Sequence, residues 1–358
     1  MENRWSDKEA GSFMEKVHGQ GVGADLACRL YTTRLLGADK GLVMHGGGNT
    51  SVKMRESDLF GEEQDVIYIK GSGRSMATMQ VEDMPAFRLA PLQRLRRLRE
   101  ITDRQLLAAQ QAARVDYGGP EPSVELLLHA FLPHKFIDHT HAGALLSLTN
   151  QEDGAERCRR LFGDRVGIVP YMRPGFGLAV RAMEIFEGNP QVEGLILLQH
   201  GIFTFGRTAK EAYLRMVDLV TLARQAVGEA VAASAPEPFP VAVRPPAEQG
   251  RMLSLLRGVL RNHGDGQPVV LSPRMDGESL RWAATPELAT ITRQGVATPD
   301  HIIHTGFYPL VLDEADPSLS DSALRRLLAD KVEEYRHDRL AWFEKHAERK
   351  ETSDEIKP

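Results

Sequence analysis

Residues 121–141 read Glu121-Pro-Ser-Val-Glu-Leu-Leu-Leu-His-Ala-Phe-Leu-Pro-His-Lys-Phe-Ile-Asp-His-Thr-His141. Pro122, Ser123 and Glu125 predict the start of a short apolar helix running to about Pro133, since proline fits a first turn and Ser and Glu suit a helix N-terminus. Phe136 and Ile137 then predict a strand that carries His139 and His141. Alternate residues of a strand share a face, so the two imidazoles converge, as a pair of metal ligands would. With 12 histidines in the chain, an accidental His-x-His pair is the competing explanation. Glu125 and a third histidine weigh against it. That third histidine is His200 in Gln199-His200-Gly201, which follows the apolar run Leu195–Leu198 and closes a strand. Three neutral imidazoles leave an open position on a divalent ion, as a catalytic site needs. His129, on the helical face of Glu125, reads as a hydrogen-bonded core histidine.

Two glycine loops lie upstream. Gly41-Leu-Val-Met-His-Gly-Gly-Gly-Asn-Thr-Ser-Val-Lys53 sets a glycine cluster between short β-like pieces. Glycines let backbone approach a ligand closely, and Asn49, Thr50 and Ser51 add donors, so the loop fits an anion, a phosphate first. No Gly-Lys-Ser/Thr ends it, so it is no Walker motif, and a plain glycine-rich hairpin is the competing explanation. After the strand Val66–Ile69 comes Lys70-Gly-Ser-Gly-Arg-Ser75, where Lys70, Ser72, Arg74 and the Gly71 and Gly73 amides can face an anion. Ser123 at a helix start adds a third donor group.

Hydrophobic residues are 42% and charged residues 26% of 358, which suits a globular chain of one large or two ordinary domains. A formal charge of −5 argues against a general nucleic-acid binder; Arg94, Arg96, Arg97 and Arg99 read as a solvated or subunit-facing surface. Cys28 and Cys158 make no disulfide framework. The charged N-terminus lacks a signal-peptide core, and no run reaches the ~18 apolar residues that span a bilayer. A cytoplasmic protein without membrane or nucleic-acid partners is expected.

Further helices are predicted over 8–35 with Gly37 as the stop, over 80–116 before a break at Tyr117-Gly-Gly-Pro120, and at Ala142–Leu148, Leu178–Phe186 and Thr208–Ala232. The last opens with Thr208 and Glu211 at capping-box spacing. Strands are predicted at Val166–Val169 and Leu195–Gln199, with Ile202–Phe205 continuing the latter. A Pro- and Ala-rich linker, 233–249, separates a domain of residues 1–232 from a smaller C-terminal α/β extension, 250–358, of unassigned role. The extension is expected to hold helices at 250–262, 286–293 and 324–349 and strands at Pro268–Leu271 and Tyr308–Leu312. His301 and His304 read as structural or rim residues.

A divalent ion on three histidines, beside a carboxylate and an anion pocket, suits aldol cleavage without a Schiff-base lysine. The ion would act as a Lewis acid on a sugar phosphate, Glu125 would move the proton beside the carbonyl, and the loops would orient the phosphate.

Gly48-Asn49-Thr50-Ser51, Lys70-Gly71-Ser72-Gly73, Pro122-Ser123-Val124-Glu125, His139-Thr140-His141 and Gln199-His200-Gly201 together resemble, in order and spacing, the motifs of the class II aldolase/adducin family over about residues 22–230. The resemblance implies an α/β/α sandwich with a mainly antiparallel sheet. It implies zinc, or manganese or cobalt, on His139, His141 and His200. It implies Glu125 as the catalytic acid/base and a possible fourth ligand, and a phosphate site from Asn49, Ser51, Ser72, Gly73 and Ser123, to which Lys70 is added from its own loop. It also implies a homo-oligomer, tetramer or dimer, with sites near subunit contacts that Tyr171 and Arg173 could line. Asp138-His-Thr-His141, Arg173-Pro-Gly-Phe176 and Ala297-Thr-Pro-Asp-His-Ile-Ile-His-Thr305 resemble the aldolase part of bifunctional rhamnulose-1-phosphate aldolase/alcohol dehydrogenases. No oxidoreductase activity is expected of this chain.

Val124 stands where fuculose-phosphate aldolases have a second phosphate-binding serine, and the Glu125–His139 gap is shorter than theirs. Glutamate at 125 favours an aldolase over a ribulose-phosphate 4-epimerase. The expected function is cleavage of a ketose 1-phosphate, such as rhamnulose 1-phosphate, to dihydroxyacetone phosphate and an aldehyde. The alternatives are a metal-dependent aldolase, epimerase or decarboxylase on a non-phosphorylated hydroxy acid or sugar, and an adducin-like binding protein without catalysis.

Overall fold

The computed structural model describes residues 1–19, 21–116, 118–234, 245–263, 266–312, 316 and 318–346. Tyr117, the 235–244 part of the expected linker and positions 347–349 of the expected last helix lie outside the described residues. The chain divides into unit 1, Met1–Ala235 with Ala297–His304, and unit 2, Pro236–Val296 with Thr305–Pro358.

Unit 1 is built on one sheet of β1 (Asn49–Ser57), β2 (Glu63–Ile69), β3 (Ala86–Arg88), β4 (Phe136–Thr140), β5 (Val166–Val169), β6 (Gly194–Leu197) and β7 (Gly201–Gly206), in the order β3-β2-β1-β4-β7-β6-β5. Only β5 and β6 pair in parallel; every other neighbour pair is antiparallel. Its helices are α1 (Asp7–His18), α2 (Ala24–Gly37), α3 (Leu89–Arg94), α4 (Asp103–Ala113), α5 (Leu126–Phe131), α6 (Gly143–Thr149), α7 (Gly154–Phe162), α8 (Phe176–Gly188) and α9 (Ala209–Ser234).

Strand periodicity explains the layers. Successive side chains leave opposite faces, so Phe136, Ile196 and Ile202 enter a core with Leu30 of α2, Leu145 of α6 and Met216 of α9. Their neighbours Ile137, Leu195 and Phe203 enter a second core with Leu127 of α5 and Ala182 of α8. Two apolar cores on the two faces of one mainly antiparallel sheet make the α/β/α sandwich. Each fully buried Leu or Phe contributes about 1.5–3 kcal/mol of burial, which makes the central strands the rigid part of the scaffold. β4 is buried at every position. Even its polar Asp138 is enclosed, held 2.5 Å from Arg29 of α2 with both side chains fully buried.

Several local expectations are corrected. α5 starts at Leu126 rather than at Pro122: Pro122 bridges Gly71, and the Leu126 amide donates to Ser123 O at 3.0 Å to make a turn. Residues 80–116 are not one helix. Pro85 interrupts the pattern, Pro91 is accommodated in the first turn of α3, and Ala86–Arg88 pairs with β2 as an edge strand despite its helical residue types. Ile202–Phe205 does not continue the preceding strand: the chain reverses at Gln199 (φ 58°), the one non-glycine with positive φ among the described residues, and β7 returns antiparallel to β6.

Unit 2 contains α10 (Pro246–His263), α11 (Gly277–Ala283), α12 (Leu288–Arg293) and α14 (Asp321–His346), while α13 (Pro299–Thr305) lies in unit 1 but for its last residue. Leu255 and Val259 of α10 pack with Leu324, Leu328 and Val332 of α14. α10 begins inside the stretch expected to be linker. The strands expected at Pro268–Leu271 and Tyr308–Leu312 do not form, so the described part of this extension is helical rather than α/β. Pro268 and Pro309 have no N–H to give a ladder. Among the described residues no helix is long and apolar enough to cross a membrane.

Candidate metal centre

The centre grows from the junction of β4 and β7. His139 Nδ1 lies 3.0 Å from Ile202 O, an acceptor only, so Nδ1 carries the proton and Nε2 keeps its lone pair. The Phe203 ring stacks on that imidazole, centroids 4.1 Å apart and planes at 16°, and fixes its orientation. His141 stands one residue beyond β4, and its Nδ1 meets Asp300 Oδ1 at 2.7 Å, which again leaves the lone pair on Nε2. His200 sits in the tight turn after Gln199. Strained backbone of this kind concentrates at functional sites, and here it aims the ring back at β4.

One nitrogen from each of His139, His141 and His200 lies within 4.8 Å of the others, and all three residues are buried. His139 Nε2 and His141 Nε2 are 3.0 Å apart, so two lone pairs face each other. Burial holds His139 well below the usual imidazole range, helped by His141 and His200; burial likewise lowers His200. Neutral imidazole is the form that binds metal. Glu125 places Oε2 3.2 Å from His139 Nε2 and Oε1 3.3 Å from His200 Nε2, and Oε1 has no hydrogen-bond partner. A buried carboxylate facing converging lone pairs is costly without a cation. The donor set therefore fits a divalent ion, one that takes nitrogen ligands.

Asn49 orients the Glu125 carboxylate. Its Nδ2 donates to Glu125 Oε2 at 2.6 Å and to Ser123 Oγ at 2.8 Å. Its Oδ1 then accepts from His129 Nε2 at 2.5 Å. The protonated Nε2 makes Nδ1 of this buried, neutral ring the acceptor of the Ser51 hydroxyl at 2.7 Å. His129 is thus the core histidine that its position predicted.

The cavity beside the triad has a volume of about 270 Å³ and is lined by Asn49, Lys70, Ser72, Gly73, Ser123, Glu125, His141 and His200. His139 lies behind this wall, and Ser51 does not reach the wall, its hydroxyl being turned to His129. The loops meet because the Ser72 amide donates to Glu121 O at 2.7 Å and the Ser123 amide to Lys70 O at 3.1 Å. Arg74 turns to Asp83 at 3.3 Å. Val124 lines the cavity, 64% exposed; Tyr171 and Arg173 do not line it, although Pro174 does. Lys70 Nζ donates to Gly46 O at 2.7 Å; burial lowers its pKa to about 8 against the pull of Asp300 and Glu125. His304 at the rim donates from Nε2 to His45 O at 2.6 Å. Sequence reasoning missed Asp300, although Ala297–Thr305 had been singled out.

Two family models match the chain: the class II aldolase and adducin N-terminal domain over residues 28–227, and the class II aldolase second domain over residues 247–358. An "uncharacterized oxidoreductase YuxG" of Bacillus subtilis is 29% identical over 320 residues, covering 88% of this chain and 46% of that protein. The chain thus spans about half the length of the curated relative it matches. A solved N-terminal class II aldolase domain of a conserved protein from Thermoplasma acidophilum is 35% identical, with a TM-score of 0.56, covering 63% of this chain and 99% of that one.

Proposed function

We propose a function from one premise: the chain belongs to the class II aldolase and adducin family. The function is that of a metal-dependent aldolase, a cytoplasmic homo-oligomer with zinc on His139, His141 and His200. It cleaves a ketose 1-phosphate such as rhamnulose 1-phosphate to dihydroxyacetone phosphate and an aldehyde. The observation that carries this reading is the Glu125 carboxylate, 3.2 and 3.3 Å from two imidazole nitrogens on a cavity that Lys70 also lines. When bound, the ion supplies Lewis acidity toward the substrate's carbonyl oxygen. As the bond between the carbon beside that carbonyl and the next, hydroxyl-bearing carbon breaks, Glu125 takes up the hydroxyl proton released with the aldehyde and returns a proton to the carbon beside the carbonyl, and Asn49 fixes the carboxylate's direction. Lys70, Ser72, Gly73 and Ser123 hold the phosphate, with Asn49 oriented through Ser51 and His129.

The test incubates zinc-, manganese- and cobalt-loaded protein with rhamnulose 1-phosphate and related ketose 1-phosphates, and measures dihydroxyacetone phosphate. Glu125→Gln should keep its metal and lose about 10²–10⁴-fold in turnover. Absence of that product from every sugar and metal form would refute the proposal. A protein that purifies without stoichiometric metal would favour an adducin-like binding role.

One observation favours a second reading, a non-phosphorylated hydroxy acid or sugar as substrate. The Asp300 carboxylate already lies against the first glycine loop, at Met44 N and over Gly47. Inorganic phosphate should inhibit competitively if the substrate is phosphorylated and have no such effect otherwise.

A further inference from the structure

Asp300 belongs by sequence to the second family match, residues 247–358, yet it folds with unit 1. It is 1% exposed, and both its oxygens are used. Oδ1 accepts from His141 Nδ1 at 2.7 Å, and Oδ2 accepts from the Met44 amide at 3.0 Å. Gly47 packs so closely that a methyl group there would fall 2.0 Å from Oδ1. The segment is tied on both sides of Asp300: Asn150 Nδ2 donates to Ala297 O at 3.0 Å, and His304 donates to His45 O.

His141 needs such a partner. Unlike His139, it lies past the last residue of β4, and among the described residues no ring stacks on it as Phe203 does on His139. Which nitrogen bears its proton, and where the other points, depends on what Nδ1 meets. A carboxylate there fixes the tautomer, aims Nε2 at the centre and makes that nitrogen a better donor to a cation.

We propose that Asp300 is a positioning residue of the metal centre: a carboxylate from the second family region that holds His141 as a ligand. The inference rests on the metal-centre reading and goes beyond it, since it makes the site incomplete without residues 297–304.

The test measures zinc affinity of the full chain by competition with a chromophoric chelator, and records the visible absorption of the cobalt form. Asp300→Ala should weaken zinc binding about 10- to 100-fold and change the cobalt spectrum. Asp300→Asn should lose less, since its amide oxygen still accepts from Nδ1–H. A folded Asp300→Ala protein with wild-type affinity and spectrum would overturn the inference. Should that variant fail to fold, Gly47→Ala decides. It pushes the carboxylate away from His141 without removing it, so weakened zinc binding supports the inference and unchanged binding overturns it. Wild-type protein that binds no zinc or cobalt would defeat the metal-centre reading itself, and this inference with it.

Discussion

Gly201→Ala tests whether the β4–β7 junction sets the metal centre. A methyl group on residue 201 would lie 2.4 Å from Thr140 O, 3.0 Å from His139 Cε1 and 3.1 Å from His141 Cδ2. The first of these is backbone and cannot swing aside. Ordinary carbon contacts start near 3.5 Å, so the strands must part by about 1 Å. They part where Thr140 faces Ile202 and His139 faces Phe203. Overpacking of this kind costs about 1–3 kcal/mol, a fall in Tm of about 1–4 °C at this size. The larger effect should be on metal, because the methyl group pushes against two of the three imidazoles. Zinc affinity should fall at least about tenfold, in the range seen when ligand supports are disturbed. Calorimetry of the apoprotein and chelator competition measure the two effects. Gly228→Ala in α9 is the control: nothing lies within 4 Å of its added methyl group, and helix propensity should stabilise it by about 0.5–1 kcal/mol. A Gly201→Ala protein with wild-type Tm and zinc affinity would refute the argument.

Other expectations follow from buried charge. Lys70, with its pKa lowered to about 8, is cationic below that pH and neutral above it, so phosphate binding should weaken as pH rises past about 8, and Lys70→Met should abolish the dependence in a titration of inhibition by phosphate. The folded-state value lies below the unfolded 10.5, so the cost of burying the charge is full below pH 8 and fades toward 10.5. Lys70→Met should therefore stabilise the apoprotein at pH 7 by at most about 3 kcal/mol and give no such gain at pH 10.5, as urea unfolding would report. Arg29→Met should cost about 3–5 kcal/mol by leaving Asp138 unpaired in the core. Burial pushes the Asp138 carboxyl above its ordinary range even beside Arg29, so the deficit should be largest at neutral pH and shrink as acid protonates it. A deficit independent of pH in thermal melts would refute that assignment.

The sandwich was legible where apolar runs were short and bounded by glycine or proline. Val166–Val169 forms as read, with Val166 in one core and Val169 in the other, and the helix through Leu178–Phe186 forms because it buries its own periodic face. Ala86–Arg88 was illegible because an edge strand is decided by its neighbour, here β2, rather than by its own residues. The reversal at Gln199 was hidden for a related reason. Leu195–Leu198 and Ile202–Phe205 are both β-like, and only the positive φ at Gln199 separates a hairpin from one long strand. In the second region, apolar runs beside Pro268 and Pro309 have a strand-like composition but pair with no strand among the described residues.

The site divides the same way. His139 and His141 were legible because a two-residue period is a statement about direction, and a metal needs only direction and reach. The same period places Asn49 and Ser51 on one face of β1. There they flank a single ring, Asn49 at Nε2 and Ser51 at Nδ1 of His129, so Ser51 stands one bond further from the cavity than a grouping of donors suggests. Asp300 could not be read at all, since 159 residues separate it from His141 and no local spacing links them. The first glycine loop read either as an anion loop or as a plain hairpin, and a carboxylate lies against it. A loop's geometry specifies charge and size, not whether the anion comes from a ligand or from the chain. Here the carboxylate over Gly47 is the chain's own, so under the proposed function a substrate anion would be left to Lys70, Ser72, Gly73 and Ser123, or would have to displace Asp300 and loosen His141.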